Sequence, residues 1–499
     1  MNLKIEPERI KCEVNKMIYG HFIEHFHRQI YGGVYDPKHP LADEDGFRTD
    51  VLEAMRRIKT PVLRWPGGCF VSAYHWKDGV GSERRPMFDK AWRVEEPNEF
   101  GTDEYIKLCR KIGCEPYICT NAGTGSKEEM SDWVEYCNLK EQGYYSRLRE
   151  KNGCAEPYRV KYWSIGNENY GEWEIGARTS SEWGYLVRES AKMMKHTDPT
   201  IELSAAALVD MDWNVELLKR SGSRLSWISL HTYWDFHKGR NELQGYESCM
   251  AYTQDLEKPV RQIRGLLFAM DMEHIKIAYD EWNLRGWYHP NTARLSLGVT
   301  PEEYLYPRDE NDKNSQYTMA DAVFAACFLN MCIRNGDIVG MANFSPVVNT
   351  RGMIYTCEEG IVLRSVYHVF DAYVNGMWNQ CVDFWDMQSP VVFRVRDENG
   401  EEKDVDALDV AVTANETGDK ISLGVVNKHP FEAETISLHI AGLTQGRYRL
   451  ITVNGPSVDS YNSIEEQKVK KVEQPWTDFT GQITLMLEPH SVNVIQCER

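Results

Sequence analysis

No Cys-x-x-Cys pair occurs in the 499 residues, although 13 cysteines are present. Thiols scattered singly in a large chain exclude a small disulfide-stapled fold and suit a reducing compartment. No run of about 18 apolar residues occurs, so no membrane partner is expected. The opening MNLKIEPERIKCEV lacks the apolar stretch of roughly 7–15 residues that a secretory leader needs. A cytoplasmic location is therefore expected. Positive charge is in short supply: 57 Lys+Arg against 75 Asp+Glu leave −18 and a pI near 5.3. Such a field repels polyanions, so nucleic acid is not expected as a partner. Internal repeats and low-complexity tracts are also missing. No glycine-rich phosphate loop follows the first predicted strand, which argues against a dinucleotide-binding sheet.

What is present is ordinary globular material. Hydrophobic residues make up 42% and charged residues 26%, so neither disorder nor a collagenous chain is in question. Aromatics reach 11%, with 15 Trp and 26 Tyr. Flat rings in that number suit stacking on sugars, and they suit core filling equally well.

From Met17 onward, short apolar runs alternate with helical periodicity. Met17–Tyr19, Pro61–Arg64, Tyr117–Cys119, Tyr162–Ile165, Ile201–Ala206, Trp227–Leu230, Ile275–Tyr279 and Ile338–Ala342 read as strands. Between them, Val51–Ile58, Tyr105–Ile112 (stopped by Gly113), Trp183–Met194, Val260–Met270 and Ala320–Cys332 read as helices. Eight strands separated by helices predict an α/β fold, a (β/α)8 TIM barrel. The loops after strands two, three, four and seven are long, as an active-site face requires. After about Tyr373 come short runs of period two, among them Val391–Val395, Val410–Val412, Ile421–Val425, Thr435–Leu438 and Ile483–Leu487. They predict a C-terminal all-β sandwich, jelly-roll-like. The alternating Leu3, Ile5 and Ile10 predict an N-terminal strand that completes it. The expected division is 1–14 for that strand, 15–373 for the catalytic barrel and 374–499 for the sandwich.

Two motifs carry chemistry. Trp163–Asn169 (WSIGNEN) is an apolar strand that ends in Asn167-Glu168, and Ile277–Asn283 (IAYDEWN) is one that ends in Asp280-Glu281. A carboxylate at the C-terminal end of a barrel strand points into the shared mouth. Glutamates on strands four and seven can face each other across the axis. Glycoside hydrolysis uses such a pair, one carboxylic acid for the leaving oxygen and one carboxylate opposite. Either motif alone reads equally well as a strand-end carboxylate capping a helix; the two together favour catalysis.

At this point the chain resembles a known family. FIEH, RWPGGCF, YHWKDGVG, NAGTG, YWSIGNENYG, ISLHTY and DEWN, in this order, resemble the family 51 α-L-arabinofuranosidases, within the clan of retaining (β/α)8 glycosidases that carry their glutamates on strands four and seven. The resemblance spans about residues 17–375 and implies a β-sandwich tail. It implies Glu168 as acid/base and Glu281 as nucleophile. It implies Glu24, Arg64 and Asn167 as sugar-hydroxyl ligands, with His231 and Tyr233 beside the nucleophile. The lesser alternatives are that Arg64 is a buried ion-pair partner and that His231 is a satisfied core histidine. The implied activity is exo-acting removal of terminal α-L-arabinofuranosyl groups from arabinose-containing oligosaccharides. No cofactor or metal is expected, and a homo-oligomer (hexamer or trimer) is.

Cys69 stands where many members have Asn, as in other members of one branch, and is kept among the substrate-binding residues. Pro346 stands where members often carry Gln, so the leaving-group side is expected to differ. Trp65, Trp76, Trp234, Trp282 and Trp287 crowd the same loops. Trp282, next to Glu281, is expected at the substrate; core packing is the commoner fate of any one of them. His21-Phe22-Ile23-Glu24-His25 fits the HxxEH zinc pattern, but it reads as a strand running into a loop, where the two histidines cannot share a helical face. Neighbouring specificities (β-xylosidase, another furanosidase, endo-glucanase) and a non-catalytic carbohydrate-binding protein are the alternatives.

Overall fold

The computed structural model describes residues 1–237, 243–287, 312–386, 391–397 and 399–499. Eight parallel strands run Gly20–Phe22, Val62–Trp65, Glu115–Thr120, Tyr162–Ile165, Glu202–Ala205, Trp227–His237, Lys276–Trp287 and Val339–Phe344. They are called strands one to eight below. Their hydrogen-bonded order is five-four-three-two-one-eight-seven-six. Strands five and six meet through a bridge between Ala206 and Ser229, where Ala207 N donates to Ser229 O at 2.9 Å. The sheet therefore closes on itself into a barrel. Its floor is plugged by Val62, Tyr117, Tyr162, Trp227, Ala278 and Met341 from the strands, with Met17 from the turn before strand one.

One predicted strand is corrected. Lys16–Tyr19 is a single 3-10 turn, and strand one begins at Gly20. Asn15 caps the turn by accepting from Met17 N. Met17, Ile18 and Tyr19 are all buried, so this run shows no period with which to tell a turn from a strand. Strands six and seven run farther than their apolar stretches, because both continue as a paired ribbon through Asp235 and Arg285. Most of the loop after strand seven lies outside the described residues.

The helix Met319–Arg334 is apolar all round and almost wholly buried, as a helix must be when covered on every side. On one side lies the barrel and on the other a ten-stranded sheet. Among the described residues its strands form one continuous hydrogen-bonded path. It includes Gln380–Asp386, Leu408–Ala414, Lys420–Asn427, Glu434–Ile440, Gln445–Asn454, Ile483–Leu487 and Ser491–Glu498. The N-terminal strand Asn2–Glu13 lies inside it, antiparallel to Gln380–Asp386 and parallel to Glu434–Ile440. Among the described residues, the hairpin Val392–Arg396/Glu402–Asp406 pairs only with itself. Alternate residues of the ladder face two cores. Leu423, Val425 and Ile495 join Leu3 and Ile5 in the sheet's own core. Val426 and Val494 join the barrel's cluster. Burial on both faces explains why Val425-Val426 reads as an unbroken apolar run.

Candidate active site

The C-terminal ends of the strands converge on one pocket. Arg64, on strand two, is fully buried and organises it. Its Nη1 donates to Glu281 Oε1 at 2.7 Å and its Nη2 to Asn167 Oδ1 at 2.9 Å. Its Nε lies 3.5 Å from Asp280 Oδ2. One rigid guanidinium fork thus ties strand two to the ends of strands four and seven.

Strand seven carries the decisive irregularity. Its register against strand six shifts between Ala278 and Glu281, and against strand eight between Tyr279 and Trp282. A regular strand would send Asp280 and Glu281 to opposite faces. The bulge turns both inward. Asp280 accepts from Ser229 Oγ at 2.6 Å and from the Tyr117 hydroxyl at 2.8 Å. Glu281 accepts from the Tyr233 hydroxyl at 2.8 Å through Oε2. That hydroxyl is also 2.8 Å from Ser345 Oγ. A carboxylate can only accept, so the single Tyr233 proton goes to Glu281, and Ser345 donates to Tyr233.

Glu168 follows strand four with φ +43°, an uncommon conformation of the kind that gathers at functional sites. Its Oε1 is 2.8 Å from His231 Nδ1, and Trp173 Nε1 donates to its Oε2 at 2.7 Å. His231 Nε2 lies 3.2 Å from Asp280 Oδ1, and Nδ1 lies 3.6 Å from Glu281 Oε2. Burial pulls the His231 pKa down, but Glu281, Asp280 and Glu168 outweigh it and raise it from 6.5 to about 10. His231 is therefore an imidazolium with both N–H groups engaged. Oxygens of Glu168 and Glu281 and a ring nitrogen of His231 lie within 4.8 Å of one another. The two carboxyl groups are thus close neighbours, linked through one shared cation.

Glu24, after strand one, is buried and accepts from Phe70 N at 3.0 Å and Trp92 Nε1 at 2.9 Å. Burial, then the nearby Glu281 charge, raises its pKa to about 8. Gly67 and Gly68 make room for it. A Cβ on Gly67 would sit 2.5 Å from Glu24 Cγ, and one on Gly68 would lie 3.2 Å from both Glu24 Oε2 and Glu281 Oε1.

These shifts give a prediction for stability. His231 holds its proton more tightly in the folded state. Its contribution is full below about pH 6.5 and is lost as pH rises through about 10. Glu24 acts in the same direction, its contribution being lost by about pH 8. Calorimetry should show Tm falling on the alkaline side, and His231→Asn should flatten the last part of that fall. A Tm that stays level through about pH 10 would refute the assigned charge states.

Residues 54–251 match the α-L-arabinofuranosidase 1 domain, and residues 280–491 match the α-L-arabinofuranosidase C-terminal domain. The probable α-L-arabinofuranosidase C of Aspergillus niger is 34% identical over 504 residues, covering 95% of this chain and 93% of that protein. The chain belongs to the family 51 α-L-arabinofuranosidases. An arabinofuranosidase of Bacillus subtilis, named as intracellular and exo-α-(1→5)-acting, is 34% identical over 85% of this chain and 84% of its own. The crystal structure of the Thermotoga maritima arabinofuranosidase in complex with arabinose aligns over all of both chains, at 36% identity and a TM-score of 0.87. The protein is a glycoside hydrolase on a TIM-barrel scaffold.

Most residues singled out in the sequence come together in this cluster: Glu24, Arg64, Asn167, Glu168, His231, Tyr233 and Glu281. Cys69 is buried beside Glu168 and Glu174, and burial pushes its thiol pKa up, so it acts as a thiol. Trp282 is corrected. It is fully buried and stacks on Phe328 at 3.9 Å, away from the pocket. The bulge that turns Asp280 and Glu281 inward sends Trp282 outward. Trp65 and Trp76 are also core, and Trp234 packs edge-on against Phe324. The side chain of Trp287 lies outside the described residues. Among the described residues, Trp92 and Trp173 touch the site, and the sequence reading missed both. Trp173 could have been found by its place in GNENYGEW, five residues after Glu168. Pro346 is buried after strand eight, and the polar contact there comes from its neighbour Ser345. His21 lies on strand one, while His25 is held by Glu96 and Trp65, so the HxxEH match is no zinc helix.

Proposed function

We propose that the protein is a retaining exo-α-L-arabinofuranosidase that removes terminal non-reducing arabinofuranosyl groups from arabinose-containing oligosaccharides by double displacement. In the first step a Glu281 oxygen attacks the anomeric carbon, the bond to the leaving oxygen breaks, and Glu168 gives that oxygen its proton. Tyr233 and Arg64 donate to Glu281 and hold it in place for that attack. In the second step Glu168 takes a proton from water, the water attacks the anomeric carbon, and the ester bond to Glu281 breaks. Asn167, Glu24 and Arg64 bind sugar hydroxyls. The observation that supports this reading is the approach of a Glu168 oxygen and a Glu281 oxygen to within 4.8 Å, which is compatible with the close, roughly 5–5.5 Å carboxyl spacing of retaining enzymes.

A panel of nitrophenyl furanosides and pyranosides tests it, with the first-formed anomer followed by NMR. The α-L-arabinofuranoside should be the best substrate, and the configuration should be retained. A preference for a xylopyranoside would favour the β-xylosidase reading, and an inverted first product would overturn the mechanism. The reading extends to a cytoplasmic homo-oligomer. It is supported by thirteen free cysteines, by the name of the Bacillus relative and by the family resemblance. Light scattering on the purified protein tests the assembly.

A further inference from the structure

Glu174 belongs to none of the roles above, yet it is only 4% exposed and borders the acid/base. Its Oε2 accepts from Asn167 Nδ2 at 3.3 Å. Its Oε1 is buried and has no partner in good hydrogen-bonding geometry, with the Cys69 thiol and the Ser72 hydroxyl beside the carboxyl group. Among the described residues it makes no ion pair. A Glu174 oxygen, a Glu168 oxygen and Cys69 Sγ lie within 4.8 Å of one another.

The orientation of Asn167 explains why this matters. Arg64 can only donate, so it takes Asn167 Oδ1, and the amide nitrogen is left facing Glu174. An acceptor at Glu174 therefore fixes which way Asn167 presents itself to the sugar. A second buried negative charge so near Glu168, with no cation to pair it, would be costly. We propose that Glu174 is a positioning residue that works as an uncharged carboxylic acid, fixing the Asn167 amide and sparing Glu168 an anionic neighbour. The inference rests on the roles given above to Asn167 and Glu168.

The charges around Glu174 agree. Burial, and behind it the charges of Glu168 and Glu24, raises its pKa to about 8, while the Cys69 thiol and the Ser72 hydroxyl work against the rise. The group thus keeps its proton near neutrality and loses it in mild alkali. Ionisation would strengthen its hold on Asn167 but place a negative charge beside the developing covalent chemistry.

The test uses kcat and KM of wild type, Glu174→Gln and Glu174→Ala on a dinitrophenyl α-L-arabinofuranoside from about pH 5 to 9. That leaving group needs no proton from Glu168, so the acid/base does not set the alkaline limb. Near about pH 6, Glu174→Gln should stay within about threefold of wild type, because its amide oxygen still accepts from Asn167. Glu174→Ala should lose about ten- to a hundredfold, mainly in kcat. Towards about pH 9 wild type should decline more steeply than Glu174→Gln, the part of the decline that both share being the ionisation of Glu24. Equal damage from Gln and Ala at the lower pH would overturn the inference, because a required charge would explain it better. So would identical alkaline profiles for wild type and Glu174→Gln. Wild type inactive on the arabinofuranoside would instead refute the functional reading. Should Glu174→Ala fail to fold, the Gln comparison across pH decides alone.

Discussion

Glu281→Ala should lower kcat/KM by about four orders of magnitude or more, on aryl glycosides and natural oligosaccharides alike. The loss should not depend on the leaving group, because what disappears is the atom that forms the covalent bond. The local structure adds to the effect. Arg64 and Tyr233 both donate to Glu281, so truncation leaves two buried donors aimed at empty space. Any residual turnover with added azide should give an inverted glycosyl azide, formed by direct attack in the space the side chain vacates. Steady-state kinetics and NMR of the azide product check this. A variant within tenfold of wild type would move the nucleophile elsewhere.

Glu168→Ala should separate substrates by leaving group. General acid assistance contributes about 10²–10⁴-fold, and only a poor leaving group needs it. Hydrolysis of an arabinose oligosaccharide should fall by that order, and the dinitrophenyl glycoside should keep far more relative activity. The glycosyl-enzyme then waits for a base. Azide needs no base, so it should accelerate turnover and give a product of retained configuration. The second loss is positional. His231 and Trp173 both touch Glu168, and without it His231 turns fully to Asp280 and Glu281. Should azide give inverted product here and retained product with Glu281→Ala, the two roles are exchanged.

The legibility of this site varied with the kind of information each residue carries. The endings of strands four and seven were plain because an apolar strand running into Asn-Glu or Asp-Glu breaks its own pattern at one position. Arg64 was reached through the resemblance carried by RWPGGCF, and its role as the fork that joins three strands is visible only in the fold. Asp280 did not stand out, since period two places it on the face opposite Glu281. Only the bulge, a product of pairing with strands six and eight, brings both to the axis and rotates Trp282 into the Phe328 stack. Trp92 and Glu174 were invisible for another reason. They sit in loops without periodicity, and nothing local marks which loop folds over the pocket.

The sequence by itself determined the alternation of strand and helix, the change of grammar after Tyr373, the family, and the two glutamates. These depend on local period and on ordered motifs, which the chain carries wherever it is read. Tertiary structure alone decided that strands five and six close the barrel through Ala206 and Ser229, that Asn2–Glu13 threads between Gln380–Asp386 and Glu434–Ile440, and that His231 sits among three carboxylates. Those facts arise from pairings between segments far apart in the chain, and the charge on His231 arises from the field of groups that meet only when the chain is folded.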